Sequence, residues 1–499
     1  MSKPNLSDRN LPEKVLPEKV LSQRLFTGAG TALLLAGFAG IVWVDLANDT
    51  LRAGYVTQTI AWFLVAFAGY LLLLPLQRTA AADDPWKWLL LVGLGLRLVL
   101  LLTEPTLSDD VYRYLWEGHL VTQGVSPYPF VIDSPLGDVY DIPARGLANN
   151  TGLASPYLPV AHVIFAGTAV VLPSEAWTMQ VLMIGFELLA GWMILKMLRL
   201  ANLPERRVLL YWLNPLVIIE IAHGAHIDAL ILGLGGVGLW LSLRAAFNQA
   251  GPSSTLIQLA GPLMVAAATL TRPLSLLFIP VLFWIWNWRQ RILWAVAFLI
   301  PIAATGAVVG LGLDDDAGAG VFGSARAYSQ TFRFNSGIYH WLERWISSQG
   351  LDDRGFNEPI NLTRFIVGAI VVTLTLGVFF VARRRATSAR STMRLLALPM
   401  IVYVLFTPVL HPWYTLLLLA LLPFLAPAED EAVGRWITLA PWIALSALLI
   451  FSYLTYEDPL RFAEREWVRR VEWYPTLALV AVAGLWSLRR IYRAPQAAP

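Results

Sequence analysis

The chain has 499 residues, 57% of them hydrophobic and only 14% charged, with a formal net charge of +3; a soluble domain would carry about 25% charged residues. Mean hydropathy is +0.59, and the apolar residues stand in long uninterrupted blocks, so the chain reads as a polytopic membrane protein rather than a string of soluble domains. There is no cysteine, which excludes disulfides, thiol chemistry and cysteine-ligated metal sites, and no nucleic-acid partner is expected.

Residues 1–24 are polar and contain a tandem Leu-Pro-Glu-Lys-Val repeat; they read as a disordered cytoplasmic tail. The apolar run that follows is too long for a signal-peptide core and lacks a small-residue cleavage site, so it reads as an uncleaved first helix. Apolar runs of spanning or near-spanning length then cover 25–44, 58–76, 87–103, 176–198, 207–222, 229–247, 256–270, 274–288, 291–312, 360–382, 393–410, 413–427, 436–455 and 474–490. Together they predict an all-α transmembrane bundle of about fourteen helices, occupying 25–493 as one domain.

Lys and Arg favour cytoplasmic loops. Lys3, Arg9, Lys14, Lys19 and Arg24 place the N-terminus inside, and counting three crossings puts residues 104–157 outside. The short apolar stretch 158–173, bounded by prolines, decides the rest. If it does not cross, then Lys196, Arg199, Arg206, Arg207, Arg289, Arg291, the Arg383-Arg384-Arg385 cluster, Arg390, Arg394, Arg489, Arg490 and Arg493 all fall inside. The stretch is therefore expected to be an amphipathic or re-entrant element on the outer surface. Both termini are then cytoplasmic, and 104–157 and 313–359 are the two long outer loops. Asp314-Asp315-Asp316 in the second reads as solvated loop.

The densest polar run is Ser108-Asp109-Asp110-Val111-Tyr112-Arg113-Tyr114-Leu115-Trp116-Glu117-Gly118, at the outer end of the third helix. Two adjacent carboxylates at a membrane boundary repel each other; the pair raises the proton affinity of one member or demands a cation. A carboxylate held this way can accept a proton from an attacking hydroxyl. The structural alternative is that Ser108 and the acids only cap a short interfacial helix. Other polar breaks fall at the same end: Gly124-Val125-Ser126-Pro127-Tyr128-Pro129, Ser155-Pro156-Tyr157-Leu158-Pro159, Asn214-Pro215, Glu220 through His223 and His226 to Asp228, Thr271-Arg272-Pro273, and His411-Pro412-Trp413-Tyr414. Irregular backbone at membrane depth is tolerated where it lines protein or a water-filled cavity, so these breaks point to one shared cavity. Arg97 needs a partner, for which Glu104 or Asp109 is in reach by sequence; Glu187, mid-helix, faces the interior.

The run Ser108 to Gly118, followed by Gly-x-Ser-Pro-Tyr, resembles the first outer loop of GT-C superfamily glycosyltransferases, in particular the bacterial polyprenyl-phosphate-mannose-dependent mannosyltransferases. Pro156-Tyr157-Leu158-Pro159 is similar to their Tyr-Pro-Pro element, and Gly224-Ala225-His226-Ile227-Asp228-Ala229-Leu230 to their Asn-Gly-His-x-Asp-Ala-Leu segment; the resemblance runs from about residue 86 to 430. It implies that Asp109 is the general base and Asp110 its acidic neighbour. It also implies a donor sugar, mannose or another hexose, carried on polyprenyl phosphate, and an extracytoplasmic glycan or glycolipid acceptor at a bacterial-type plasma membrane.

The leaving phosphate needs a cation. Arg272 is the first candidate, its fork suiting phosphate oxygens, with Arg113 and Arg333 as alternatives. Tyr128, Tyr157, His223, His226 and Asp228 are expected to hold sugar hydroxyls or orient Asp109, and His411 and Tyr414 to line the lipid or acceptor groove. No firm cofactor follows. A divalent cation, Mg or Mn, on the Asp109–Asp110 pair is allowed by the resemblance, while His223-x-x-His226 without thiolates does not make a zinc site. The competing function is a secondary transporter or lipid flippase, which predicts polar groups near the midplane and internal repeats; here the charges crowd at the outer end.

Overall fold

The structure, a computed structural model, describes residues 18–48, 55–77, 86–129, 131–247, 255–310, 332–351, 362–427, 433–457 and 463–493. The tail before Glu18, Asp314 to Asp316 and most of the loop 313–359 lie outside the described residues.

The chain folds as a helical bundle. Among the described residues nine helices are long and apolar enough to cross a membrane, the first beginning within the helix Glu18–Leu46. The remaining apolar runs form shorter or broken helices. Residues 87–103 become Trp86–Val99 plus a 3-10 turn, and 207–222 become Leu209–Trp212, Pro215–Ile218 and a π-helical turn at Ile219–His223. Thr255–Thr269, Pro273–Ile285 and Pro412–Leu425 account for the other short runs. Among the described residues each apolar run read from the sequence is mainly helical, the only solution besides a closed barrel that satisfies the backbone in lipid.

Small residues allow close packing. A Cβ on Gly37 would stand 2.4 Å from the backbone nitrogen of Ala66, joining the first two helices backbone to backbone, and one on Gly238 would stand 2.8 Å from that of Val265. The partner of Arg97 is neither Glu104 nor Asp109. Its Nε and Nη2 donate to the Glu187 carboxylate, Nη1 donates to the Gly93 carbonyl at 2.7 Å, and the guanidinium lies 4.1 Å from the Trp212 ring. Both charged side chains are fully buried, so this is an internal lock between helices.

The helices alternate in direction, which sorts the polar residues. One end of the bundle collects cations: Arg199 holds Glu205 with two 2.8 Å bonds, Arg207 donates to the Ala426 carbonyl at 2.7 Å, and Arg394 to that of Phe424 at 3.2 Å. The first half of the helix Glu18–Leu46 packs beside Leu73, at the end of Val56–Leu73, and the turn Leu74–Gln77 that follows abuts Glu205–Val208, so the start of that first helix lies at this same end. The opposite end carries the aspartate pair and the helix breaks. The stretch after residue 158 is the short helix Pro159–Ala169, packed against Asp110–Thr122; a Cβ on Gly118 would meet the Phe165 carbonyl at 2.5 Å, so only glycine permits this approach.

Candidate active site

Asp109 sits at the N-cap of the helix Asp110–Thr122, yet its side chain makes no capping bond. The nearest capping contact is the Asp110 amide to Ser108 Oγ at 3.4 Å. Both carboxylates instead accept from one amide: Asn149 Nδ2 lies 2.8 Å from Asp109 Oδ1 and 2.5 Å from Asp110 Oδ1. The capping interpretation therefore does not explain Asp109. Both acids stay partly exposed at the rim, Asp110 with 17% of its side chain accessible.

The remaining breaks converge on this pair. After the π-helical turn, Ala225 takes a left-handed conformation at φ 52°, which turns the chain so that the His226 amide donates back to the Glu220 carbonyl at 3.1 Å. π-helical turns are frequently functional. His226 then stands between two acids, Nδ1 3.8 Å from Asp110 Oδ2 and Nε2 3.1 Å from Glu220 Oε2. Glu220 Oε2 accepts from the Tyr453 hydroxyl at 2.8 Å. The imidazole stacks on Trp413 at 3.7 Å, Trp413 on His411 at 4.4 Å, and His411 on Phe334 at 4.4 Å. This four-ring ladder is pinned at its far end by backbone bonds between Phe334 and residues 408–410.

Beside it, Arg272 Nη1 donates to Asp228 Oδ2 at 2.9 Å and the guanidinium lies 3.8 Å from the Tyr414 ring. Asp228 is fully buried, while 19% of the Arg272 side chain is exposed. The turn carrying Tyr157 is tied to the same break, because the Leu158 amide donates to the Thr271 carbonyl at 3.3 Å and that of Val160 to Leu270 at 3.0 Å. Asp109, Asp110, Tyr157, His226, Asp228, Arg272, His411 and Tyr414 thus gather around one rim.

Three of the sequence-derived candidates sit behind the rim. His223 is fully buried, with Nε2 3.0 Å from Asp45 Oδ2 and 3.3 Å from Thr106 Oγ1, so it fastens the end of the first helix and does not face a sugar. Tyr128 is buried and donates to the Tyr157 carbonyl at 3.0 Å, holding that turn from beneath. Arg113 directs its donors to Glu117 and to the carbonyls of Asn149, Asn150 and Leu153, which leaves it a loop clamp rather than a phosphate ligand. Arg333, the other alternative, pairs with Glu343 at 3.0 Å.

Sequence reasoning passed over Asn149, Asp45, His162 and Tyr453. Asn149 is in a polar Ala-Asn-Asn-Thr-Gly stretch that signals only a turn. His162, a titratable residue in an otherwise largely apolar helix, joins Ser155 at 2.9 Å and Glu117 at 3.0 Å under the site. Burial works to raise the proton affinity of Glu117, but Arg113, His162 and Ser155 outweigh it and hold the carboxyl below the usual range.

The aspartate pair does not fit a divalent ion as it stands. An amide donor fills the point where the two Oδ1 atoms converge, and among the described residues no three His, Asp or Glu side chains are grouped to hold a metal.

Residues 25–288, more than half of the chain, match the family described as alpha-(1->6)-mannopyranosyltransferase, N-terminal domain. The chain belongs to that family. This family member is 25% identical to the alpha-(1->6)-mannopyranosyltransferase A of Mycobacterium tuberculosis, over 87% of this chain and 89% of that one. It is 27% identical to the alpha-(1->6)-mannopyranosyltransferase B of Corynebacterium glutamicum, over 64% of this chain and 55% of that protein. A crystal structure of ArnT from Cupriavidus metallidurans bound to undecaprenyl phosphate aligns with 82% of this chain and 72% of its own, at 14% identity and a TM-score of 0.43. The resemblance to GT-C mannosyltransferases read from the outer-loop motifs is borne out by the family match, and the protein is a multi-pass membrane glycosyltransferase. That decides against the transporter.

Proposed function

We propose that this enzyme transfers a hexose, mannose as in the names of its relatives, from a polyprenyl-phosphate donor to a hydroxyl of an envelope glycan or glycolipid. The reaction takes place on the extracytoplasmic face of the plasma membrane, with both termini in the cytoplasm. The observation that carries this reading is an N-terminal aspartate that does not cap its helix but is held at an open rim, beside an arginine already oriented by Asp228 and Tyr414. The cation-rich opposite end supports the orientation, since Lys and Arg favour the cytoplasm.

In this reading Asp109 takes the proton from the acceptor hydroxyl as its oxygen bonds to the anomeric carbon. The bond from that carbon to the phosphate oxygen breaks, and polyprenyl phosphate leaves as an anion. A single displacement of this kind inverts the anomeric centre. Arg272 supplies N–H donors and positive charge to the leaving phosphate, where charge develops. Asp110 and His226 form the wall behind the base, and Tyr157, His411 and Tyr414 line the groove for sugar and lipid. Positioning contributes at least as much as the base itself.

The test is transfer by purified enzyme in lipid vesicles, supplied in parallel with radiolabelled polyprenyl-phosphate mannose, polyprenyl-phosphate glucose and a nucleotide mannose. Label from polyprenyl-phosphate mannose should appear in acceptor glycolipid. Incorporation from the nucleotide sugar alone would overturn the lipid-donor reading, and incorporation from the glucosyl lipid alone would overturn the sugar.

A further inference from the structure

We propose that Asn149 is a positioning residue that bridges the Asp109 and Asp110 carboxylates through its side-chain amide, in the place where a divalent cation would otherwise stand. The inference rests on Asp109 being the base, but the bridge itself is a matter of geometry. A primary amide nitrogen carries two N–H donors, and here one reaches each aspartate, at 2.8 Å and 2.5 Å. Only the NH2 end of the side chain satisfies two carboxylate acceptors together. Adjacent carboxylates otherwise repel, and the shared amide offsets that repulsion while fixing both side chains in place.

The amide is held by the same helix that carries the acids. Asn150 adopts φ 48°, a left-handed conformation that Asn tolerates better than most residues. This closes a turn in which the Leu153 amide donates to the Asn150 carbonyl at 2.9 Å. Arg113 gathers the carbonyls of Asn149, Asn150 and Leu153 at 3.3, 3.2 and 2.7 Å. Its Nε is fixed on Glu117 at 2.8 Å, and Glu117 accepts from Ser155 at 2.7 Å. The chain from Glu117 through Arg113 to Asn149 therefore returns to the N-terminus of its own helix, and the bridge is built in rather than a surface contact.

The consequence is specific. Asn149→Asp replaces the donor with a third carboxylate, giving three hard oxygen ligands of the kind divalent cations bind, whereas Asn149→Ser only removes the bridge. In purified enzyme, transfer by the wild type should be unaffected by EDTA. Asn149→Ser should lower kcat at least ten-fold near neutral pH, with the acidic limb of its pH–kcat profile moved upward. Asn149→Asp should acquire one tight Mn2+ by electron paramagnetic resonance, lost again when Asp109→Asn is added. An unmoved pH profile in Asn149→Ser, no gain of Mn2+ in Asn149→Asp, or wild-type transfer that requires Mn2+ would overturn the proposal. Failure of the base reading looks different: Asp109→Asn would keep full transfer, while Mn2+ binding by Asn149→Asp would still report on the bridge.

Discussion

Arg272→Lys isolates the proposed phosphate contact from the fold. Truncation to alanine would leave the fully buried Asp228 without its 2.9 Å partner and confuse catalysis with stability. Lysine keeps the charge, but its compact ammonium has to choose between Asp228 and a phosphate oxygen, where the planar fork addresses both. It also gives up the guanidinium stacking on Tyr414, now 3.8 Å away. A hydrogen bond to a charged group is worth about 1.5–3 kcal/mol. At about 1.4 kcal/mol per factor of ten, losing one from the transition state lowers kcat/KM by about 10- to 150-fold. The assay is initial-rate transfer from polyprenyl-phosphate mannose at several donor concentrations, with melting temperature as the folding control. The reasoning requires the loss to fall on kcat/KM for the donor while KM for the acceptor stays put. Wild-type kcat/KM in a well-folded Arg272→Lys would refute it.

Two further outcomes concern stability. Glu187→Ala strands the buried Arg97 guanidinium and should destabilise the bundle by about 3–5 kcal/mol, seen as unfolding at lower sodium dodecyl sulfate; the double variant Arg97→Met with Glu187→Leu should recover most of it, and equal loss in both would contradict the lock. Because Glu117 titrates below its unfolded value of 4.5, its contribution is fully present above that pH and lost as pH falls towards the folded value. The melting temperature of wild type should therefore drop below about pH 4.5 more steeply than that of Glu117→Gln, and parallel curves would count against the cluster.

The helices were legible because long apolar runs leave the backbone few other choices, and the breaks at Thr271-Arg272-Pro273 and His411-Pro412 each mark a rim position. Asn214 of the Asn214-Pro215 break, expected at the same end, is instead fully buried and donates to Ser446 Oγ at 3.1 Å inside the bundle. What stayed hidden were partners between helices. Hydropathy indicates that Arg97 has to be paired, but whether Glu104, Asp109 or Glu187 faces it depends on helix rotation, which a single apolar profile does not encode. His223 was expected to hold a sugar hydroxyl or orient Asp109 together with His226, yet one turn of backbone sends the two rings to different acids, Asp45 and Glu220. Asn149 was hidden for another reason: its role arises from a turn whose shape is imposed by Arg113, 36 residues away, and nothing local announces it.

The most direct measurement is single-turnover transfer from polyprenyl-phosphate mannose by Asp109→Asn, with Asp110→Asn and wild type alongside. Replacing the proton acceptor should slow the chemical step by about 10²- to 10⁴-fold while donor binding stays within a few-fold of wild type. An Asp109→Asn enzyme that turns over at the wild-type rate would show that the proton leaves by another route.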